Sequence, residues 1–172
     1  LVITNCRVSK DYLVGPEGKG IGIALSTIGG AGRTGGAGVC LGIAEASFDI
    51  ALKYSKERII YGKPLHDLQS IKFMLGDMAT RIECAKFLSY SVSWMQDQGR
   101  KSAELNKETA MAKLYASETA MSNTLKAIEI LGGYGTAPEF GLIPRLKSAL
   151  DMIAAAGSNN TLRRNIGDAV VA

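Results

Sequence analysis

From Val39 onward, apolar positions recur at three- and four-residue spacing, the period of a helix that buries one face. Val39, Ile43, Ala46, Ile50 and Tyr54 predict a helix ending near Glu57. Leu68, Ile71, Leu75, Met78, Ile82, Ala85, Ser89 and Val92 predict a second. It runs for roughly 30 residues, or about 45 Å, with Asp67 as its expected N-cap and Gly99 as its stop. Ala110, Leu114, Ser117, Met121, Thr124, Ile128 and Leu131 form a third stripe that ends at Gly132-Gly133. Pro138 and Pro144 bracket a connecting stretch, and Leu146, Ala149, Leu150 and Ile153 mark a fourth helix. Gly157 breaks it, Ser158 is placed to cap the continuation, and Leu162, Ile166 and Val170 carry it to the end. Narrow stripes of this kind suit helices crossing near +20°. The pattern predicts an all-α, up-down four-helix bundle.

The first residues follow another rhythm. Leu1 to Val14 alternates loosely, with Val2, Cys6 and Val8 against Asn5, Arg7 and Ser9, and predicts a short β-strand lead-in. Gly15-Pro16-Glu17-Gly18 is a turn, and an apolar stretch from Ile21 to Ile28 follows. Residues 1–20 are therefore expected to be the end of a preceding β-domain plus linker, with the helical domain over residues 21–172. A chain opening in mid-strand without methionine is expected to be a piece of something longer.

Gly30-Ala31-Gly32-Arg33-Thr34-Gly35 spells a G-x-G-x-x-G. A dinucleotide fingerprint needs a strand before it and further parallel strands after it. Beyond Gly38 the pattern gives only helices. A helix start where small residues admit a neighbouring backbone is the better expectation.

Composition narrows the function classes. A 172-residue chain with 47% hydrophobic and 21% charged residues suits one globular domain. The net charge of +4 is spread over all the helices and interleaved with acids, so no nucleic-acid groove is expected. Charged residues interrupt each helical pattern, so no bilayer-spanning run is expected, and no charged-then-apolar leader opens the chain. Cys6, Cys40 and Cys84 sit among apolar neighbours and are expected to be buried reduced thiols. A single histidine without a Cys-x-x-Cys pair leaves nothing to build a metal site from.

One stretch carries more chemistry than its position requires. Lys56 to Gln69 separates the first two helices and holds Gly62 and Pro64, the residues of a chain reversal. It also holds a guanidinium (Arg58), an aromatic (Tyr61), an ammonium (Lys63) and an amide (Gln69). Arg58 is suited to gripping a phosphate bidentately and Tyr61 to lying against a flat ring. A capped, solvated turn explains the same residues equally well.

Glu57-Arg58-x-x-Tyr61-Gly62-Lys63-Pro64-Leu65-x-x-x-Gln69 resembles the ER-x-x-FG-K-x-L-x-x-x-Q signature of the flavin-dependent acyl-CoA dehydrogenases. Ile128-Glu129-Ile130-Leu131-Gly132-Gly133-Tyr134-Gly135 is similar to that family's QI-x-GG-x-G segment, and Gly15 to Gly20 to its opening turn. The resemblance covers essentially the whole chain. It implies the family's C-terminal helical domain, FAD as cofactor, and α,β-dehydrogenation of an acyl-CoA thioester. In that chemistry a base takes the α-proton and flavin N5 the β-hydride. It implies flavin contacts from Arg58, Tyr61, Leu68, Gln69, Glu129, Gly133, Ser158 and Asn160, partly across a subunit interface, and a substrate-side arginine at Arg33. It further implies a homo-oligomer (dimer or tetramer) or a hetero-oligomer, an electron-transfer flavoprotein as acceptor, and a cytoplasmic or mitochondrial-matrix setting.

The sequence departs from the family in three places. Tyr61 stands where phenylalanine is usual. Glu129 stands where glutamine is usual, and beside a pyrophosphate a carboxylate repels where an amide donates. The catalytic segment, usually Y-E-G-T-S-E, reads Ala155-Ala156-Gly157-Ser158-Asn159-Asn160, which puts a methyl group at the position of the base. Gly32, the nearest equivalent of the alternative base position on the earlier helix, carries no carboxylate either. Three outcomes are therefore open: a divergent enzyme with a base from elsewhere, a base-less partner in a hetero-oligomer, or a non-catalytic assembly bundle. A plain helical interaction module is the alternative from a different class.

Overall fold

The computed structural model describes residues 1–101 and 104–172. Five helices of 13 residues or more make up the bundle and its continuations: α2 (Arg33–Glu57), α3 (Gln69–Asp97), α4 (Asn106–Leu131), α5 (Leu142–Ala154) and α6 (Asn159–Val171). A further helix, α1 (Gly20–Thr27), precedes them. Helices α2, α3 and α4 alternate in direction, while α5 and α6 together supply the fourth side. The expected all-α bundle is therefore formed.

Helix α4 is central and packs against α2, α3, α5 and α6. Its inner stripe explains how one helix reaches four neighbours. Ala110, Ala112, Ala116, Ala120 and Ala127 are buried, and such short side chains let other helices come close. Ala37, Cys40 and Ala44 of α2 meet this stripe in one cluster, with Ile82, Ala85 and Val92 of α3. A second cluster gathers Leu65, Ile71, Met78, Ile130, Leu131 and Leu142 beneath the α2–α3 connection. Burying a side chain such as Met78 or Leu142 contributes about 1.5–3 kcal/mol. One pair of buried hydroxyls meets across the core, Ser47 Oγ with Thr124 Oγ1 at 2.9 Å.

Turn chemistry mostly follows expectation. Gly99 at φ 79° follows the end of α3, Gly132 at φ 60° stops α4, and the Ser158 side chain caps α6 by accepting from the Thr161 amide at 3.3 Å. Two details differ. Asp67 closes a short 3₁₀ turn (Leu65–Asp67) instead of capping α3, whose N-cap is Leu68 without a side-chain bond. Pro144 lies in the first turn of α5, where its missing N–H would have no intrahelical acceptor.

The β lead-in is not formed. Residues 1–9 have no regular structure, and Lys10–Tyr12 is a single 3₁₀ turn capped by Ser9. A strand needs a partner for its ladder of N–H and C=O groups, and no other segment among the described residues supplies one. The only strands among the described residues are β1 (Ile59–Ile60) and β2 (Lys63–Pro64).

The glycine cluster also differs from expectation. Ile28–Gly32 forms a π-helical segment that joins α1 to α2 without a break. The G-x-G-x-x-G therefore lies inside a helix, with no loop to cradle a phosphate. It is not a helix start either. Close approach occurs instead at Gly36, where a Cβ would lie 3.0 Å from Met152 Cε of α5. Gly20–Glu57 is thus one continuous 38-residue helix, long and apolar enough to cross a membrane by length and composition. That corrects the expectation of no such run, although α2 buries Ala37, Leu41 and Ala44 in the bundle core. Among the thiols only Cys40 is buried, since Cys6 and Cys84 are exposed.

Candidate functional site

The end of α2 is built to reverse the chain tightly. Arg58 leaves the helix at φ −76°, ψ 122°, its amide still donating to the Tyr54 carbonyl at 2.9 Å. Ile59 pairs with Pro64 and Ile60 with Lys63, and the Leu65 amide donates to the Arg58 carbonyl at 2.7 Å. Tyr61 and Gly62 form the two-residue tip at φ 50° and 75°. Two successive positive φ values are what a tight two-residue hairpin needs, and Gly62 adopts its value without strain. The helix hairpin read from sequence therefore ends in a β-hairpin.

This geometry fixes where the tip's side chains go. Arg58 lines a cleft of about 580 Å³ together with Tyr54, Glu129, Gly132, Gly133 and Tyr134. It also lines a neighbouring cleft of about 650 Å³, with Lys53, Glu57, Glu139 and Arg145. Tyr54, Tyr134 and Phe140 pack with centroids 6.0–6.3 Å apart; Tyr54 borders both clefts, Tyr134 the first and Phe140 the second. Arg58, Glu129 and Gly133, predicted from distant parts of the sequence, thus share one cleft. Tyr61 is 92% exposed at the hairpin tip, and Leu68 and Gln69 are exposed at the start of α3, outside both clefts.

The glycines of the second motif divide the work. Gly132 takes the positive φ that stops α4. A Cβ on Gly135 would lie 2.6 Å from the Ile128 carbonyl oxygen, so that glycine lets the following turn fold back on α4. Gly133 has open space within 4 Å of its would-be Cβ and faces the cleft. Gly132 has the same open space and lines the same cleft, so both can admit a ligand, Gly133 without the helix-stopping bend.

A second locus lies where the π-helical segment meets the α5–α6 turn. A Cβ on Gly32 would sit 3.9 Å from the Ala156 Cβ. The two positions at which the resemblance places a base therefore face each other, and neither carries a carboxylate. Ala156 holds φ 54° and Gly157 φ 99°, so the turn keeps a left-handed bend that alanine adopts only at a cost. Ser158 and Asn160 are exposed at the N-terminus of α6, the Ser158 hydroxyl serving as the cap.

Arg33 lies at the start of α2, next to Gly32. It is 8% exposed, and its Nη1 donates to Asn106 Oδ1 at 2.5 Å. With the Asn165 amide turned to satisfy its neighbours, Nη2 donates to its oxygen at 3.2 Å, while Nε has no partner. Burial lowers its pKa from the ordinary value. The guanidinium ties α2 to the start of α4 and to α6 through neutral amides.

Lys113 is not among the residues expected from the sequence to serve a site. It lies on the inner stripe of α4, is completely buried, and donates to Ile153 O, Gly157 O and Asn159 Oδ1 at 3.4, 3.1 and 3.0 Å. Burial lowers its pKa. Burial also pushes the nearby Cys40 thiol up to about 11, against the attraction of the Lys113 charge. Asn159 is buried too, accepting from Ser117 Oγ at 3.2 Å and donating to Glu118, which pairs with Arg163. A lysine on an otherwise apolar helix face was the available signal.

Comparison with known proteins agrees with this architecture. Residues 18–171 match the family model described as "Acyl-CoA dehydrogenase, C-terminal domain". A short-chain-specific acyl-CoA dehydrogenase of Megasphaera elsdenii is 37% identical over 171 residues, covering 99% of this chain and 44% of that protein. The solved butyryl-CoA dehydrogenase of the same organism superposes with a TM-score of 0.86 at 38% identity, over 92% of this chain and 40% of the other. A chain in the structure described as "Electron transferring flavoprotein of Acidaminococcus fermentans" gives 0.93 at 36% identity, over 99% and 44%. The chain thus spans less than half the length of the relatives it matches. By its motifs, its fold and these matches, the chain belongs to the acyl-CoA dehydrogenase family, as a C-terminal helical domain.

Proposed function

We propose that this chain is the flavin-contacting and oligomer-forming domain of an FAD-dependent protein acting on acyl-CoA thioesters. The observation that carries this reading is the shared cleft of Arg58 and Gly133, brought together from two family motifs far apart in sequence. The donor set fits the ADP half of FAD. A guanidinium offers paired donors to a pyrophosphate, Gly133 leaves room for close approach, and aromatic walls border the cleft. Glu129 opposes this in part, because its carboxylate repels a phosphate. Tyr61, Leu68 and Gln69 face outward and suit contacts made across a subunit boundary. Bound flavin would supply the hydride acceptor for an acyl chain. An electron-transfer flavoprotein as redox partner is part of the same reading, supported by the Acidaminococcus relative, and so is assembly of several copies, which the exposed Tyr61, Leu68 and Gln69 suit.

The test is Arg58→Ala in the flavin-loaded protein. Each charge-assisted hydrogen bond lost costs roughly 1.5–3 kcal/mol, so flavin occupancy after gel filtration is expected to fall. Unchanged occupancy would make Arg58 a turn residue only.

The facing pair Gly32 and Ala156 favours a second reading, that of a base-less subunit. Neither side chain can hold a proton, so an α-proton acceptor must come from outside these two positions or from another subunit. A protein purified without any flavin absorbance would leave only an assembly or interaction bundle.

A further inference from the structure

We propose that Lys113 is a positioning residue: its buried ammonium sets where the side chain at position 156 stands. The inference rests on the reading of residues 155–158 as the family's catalytic turn. An ammonium has three donors, and here they meet three acceptors that bracket that turn. Ile153 lies at the end of α5, Gly157 within the turn, and Asn159 at the first position of α6. All three are 40 to 46 residues away from Lys113 in the chain. The lysine's hold on the turn is therefore wholly a tertiary contact.

The acceptors are neutral, so the lysine is not there to cancel a buried acid. Arg33, the nearest other cation acting on it, raises the electrostatic cost of placing a charge here. Such a site persists only where the hydrogen bonds are made, and an ammonium is the natural side chain that donates three at once along a long apolar stem. The turn it holds is itself unfavourable, with a non-glycine residue at φ 54°. Residues Ser117 and Glu118, one turn further along α4, fasten Asn159, and Glu118 also pairs with Arg163. One face of α4 therefore fixes the residues on both sides of Ala156, and Ala156 is held facing Gly32. The rigid part of a catalytic turn is retained although its side chain is a methyl group.

Lys113→Met keeps the length and apolar stem and removes all three donors. Hydrogen exchange followed by mass spectrometry is expected to show the amides of residues 155–162 exchanging roughly tenfold faster or more, with α2 and α3 unchanged. Wild-type exchange in that segment overturns the proposal, and so does acceleration spread evenly over the bundle. If Lys113→Met does not fold, Asn159→Ala removes one acceptor and is judged by the same local pattern. A second readout separates positioning from plain stability. In the flavin-loaded protein carrying Ala156→Glu, adding Lys113→Met should slow acyl-CoA-dependent bleaching by roughly 10²-fold, because a displacement of about 1 Å costs that much. The dissociation constant for the acyl-CoA should stay unchanged. An equal bleaching rate, or a loss carried wholly by weaker acyl-CoA binding, overturns the proposal. If Ala156→Glu alone gives no bleaching, the functional reading fails and the exchange comparison decides the role of Lys113 by itself.

Discussion

The hairpin tip and the α5–α6 turn present opposite solutions to holding a functional group. At the tip, backbone hydrogen bonds among neighbours do the work: Arg58 with Tyr54, Leu65 with Arg58, and two antiparallel pairs. The side chains of Arg58 and Tyr61 are left exposed. At the α5–α6 turn the backbone bends through Ala156 and Gly157, and a buried side chain from another helix holds it. The tip is locally specified and tolerant, whereas the turn depends on the whole bundle being formed. Substitutions should therefore change ligand affinity at the tip and geometry at the turn.

The sharpest way to break this contrast is Ala156→Glu in the flavin-loaded protein. If the turn is a retained scaffold, a carboxylate placed there should act as a base, an effect typically of 10²–10⁴-fold. Acyl-CoA-dependent flavin bleaching, followed with several chain lengths, is the measurement. Strong bleaching already present without the substitution would show that a base comes from elsewhere. No gain with any chain length, despite bound flavin, would mean that the turn no longer serves dehydrogenation.

A smaller effect sharpens the account of the tip. Gly135→Ala forces a Cβ against the Ile128 backbone and should destabilise the fold by about 1–3 kcal/mol in urea unfolding. Gly133→Ala meets nothing within 4 Å, so it should leave stability nearly unchanged while weakening flavin binding. Equal stability losses at the two positions would remove the division of labour between them.

The smallest expected effect concerns a surface pair away from both loci. Lys126 Nζ lies 2.7 Å from Asp77 Oδ2, linking α4 to α3 and holding the Asp77 pKa below its usual value. The folded state therefore favours the carboxylate. That contribution is present above the ordinary aspartate range and is lost as pH falls through the lowered folded value. Lys126→Met should flatten the acid limb of stability against pH only slightly. A large change would mean that surface pairing matters more than the core contacts do.

Much of this architecture is legible in the sequence because its causes are local. The spacing of Ile71, Met78, Ile82 and Ala85 gives α3 its buried face, Gly99 and Gly132 stop helices, and Ser158 caps one. Arg58 and Gly133 stand out because a turn needs neither a guanidinium nor two adjacent glycines. Expectations failed where a residue's state depends on distant partners. Leu1 to Val14 has strand-like alternation but no neighbouring strand. Cys84, expected to be buried, stands between Glu83 and Ala85 and faces solvent on α3. Arg33 is tied to Asn106 of α4 and Asn165 of α6, partners that its own stretch of sequence does not reveal.

The sequence by itself determined the helices, their order, the position of the chain reversal and the family. Periodicity and turn chemistry act within a few residues, so they are written in the order of the amino acids. Only the tertiary structure decided that Gly32 faces Ala156, that Arg58 shares a cleft with Gly133, and that Lys113 holds the α5–α6 turn. Those relations join groups far apart in the chain. They exist only once helix packing has excluded water and set which faces meet.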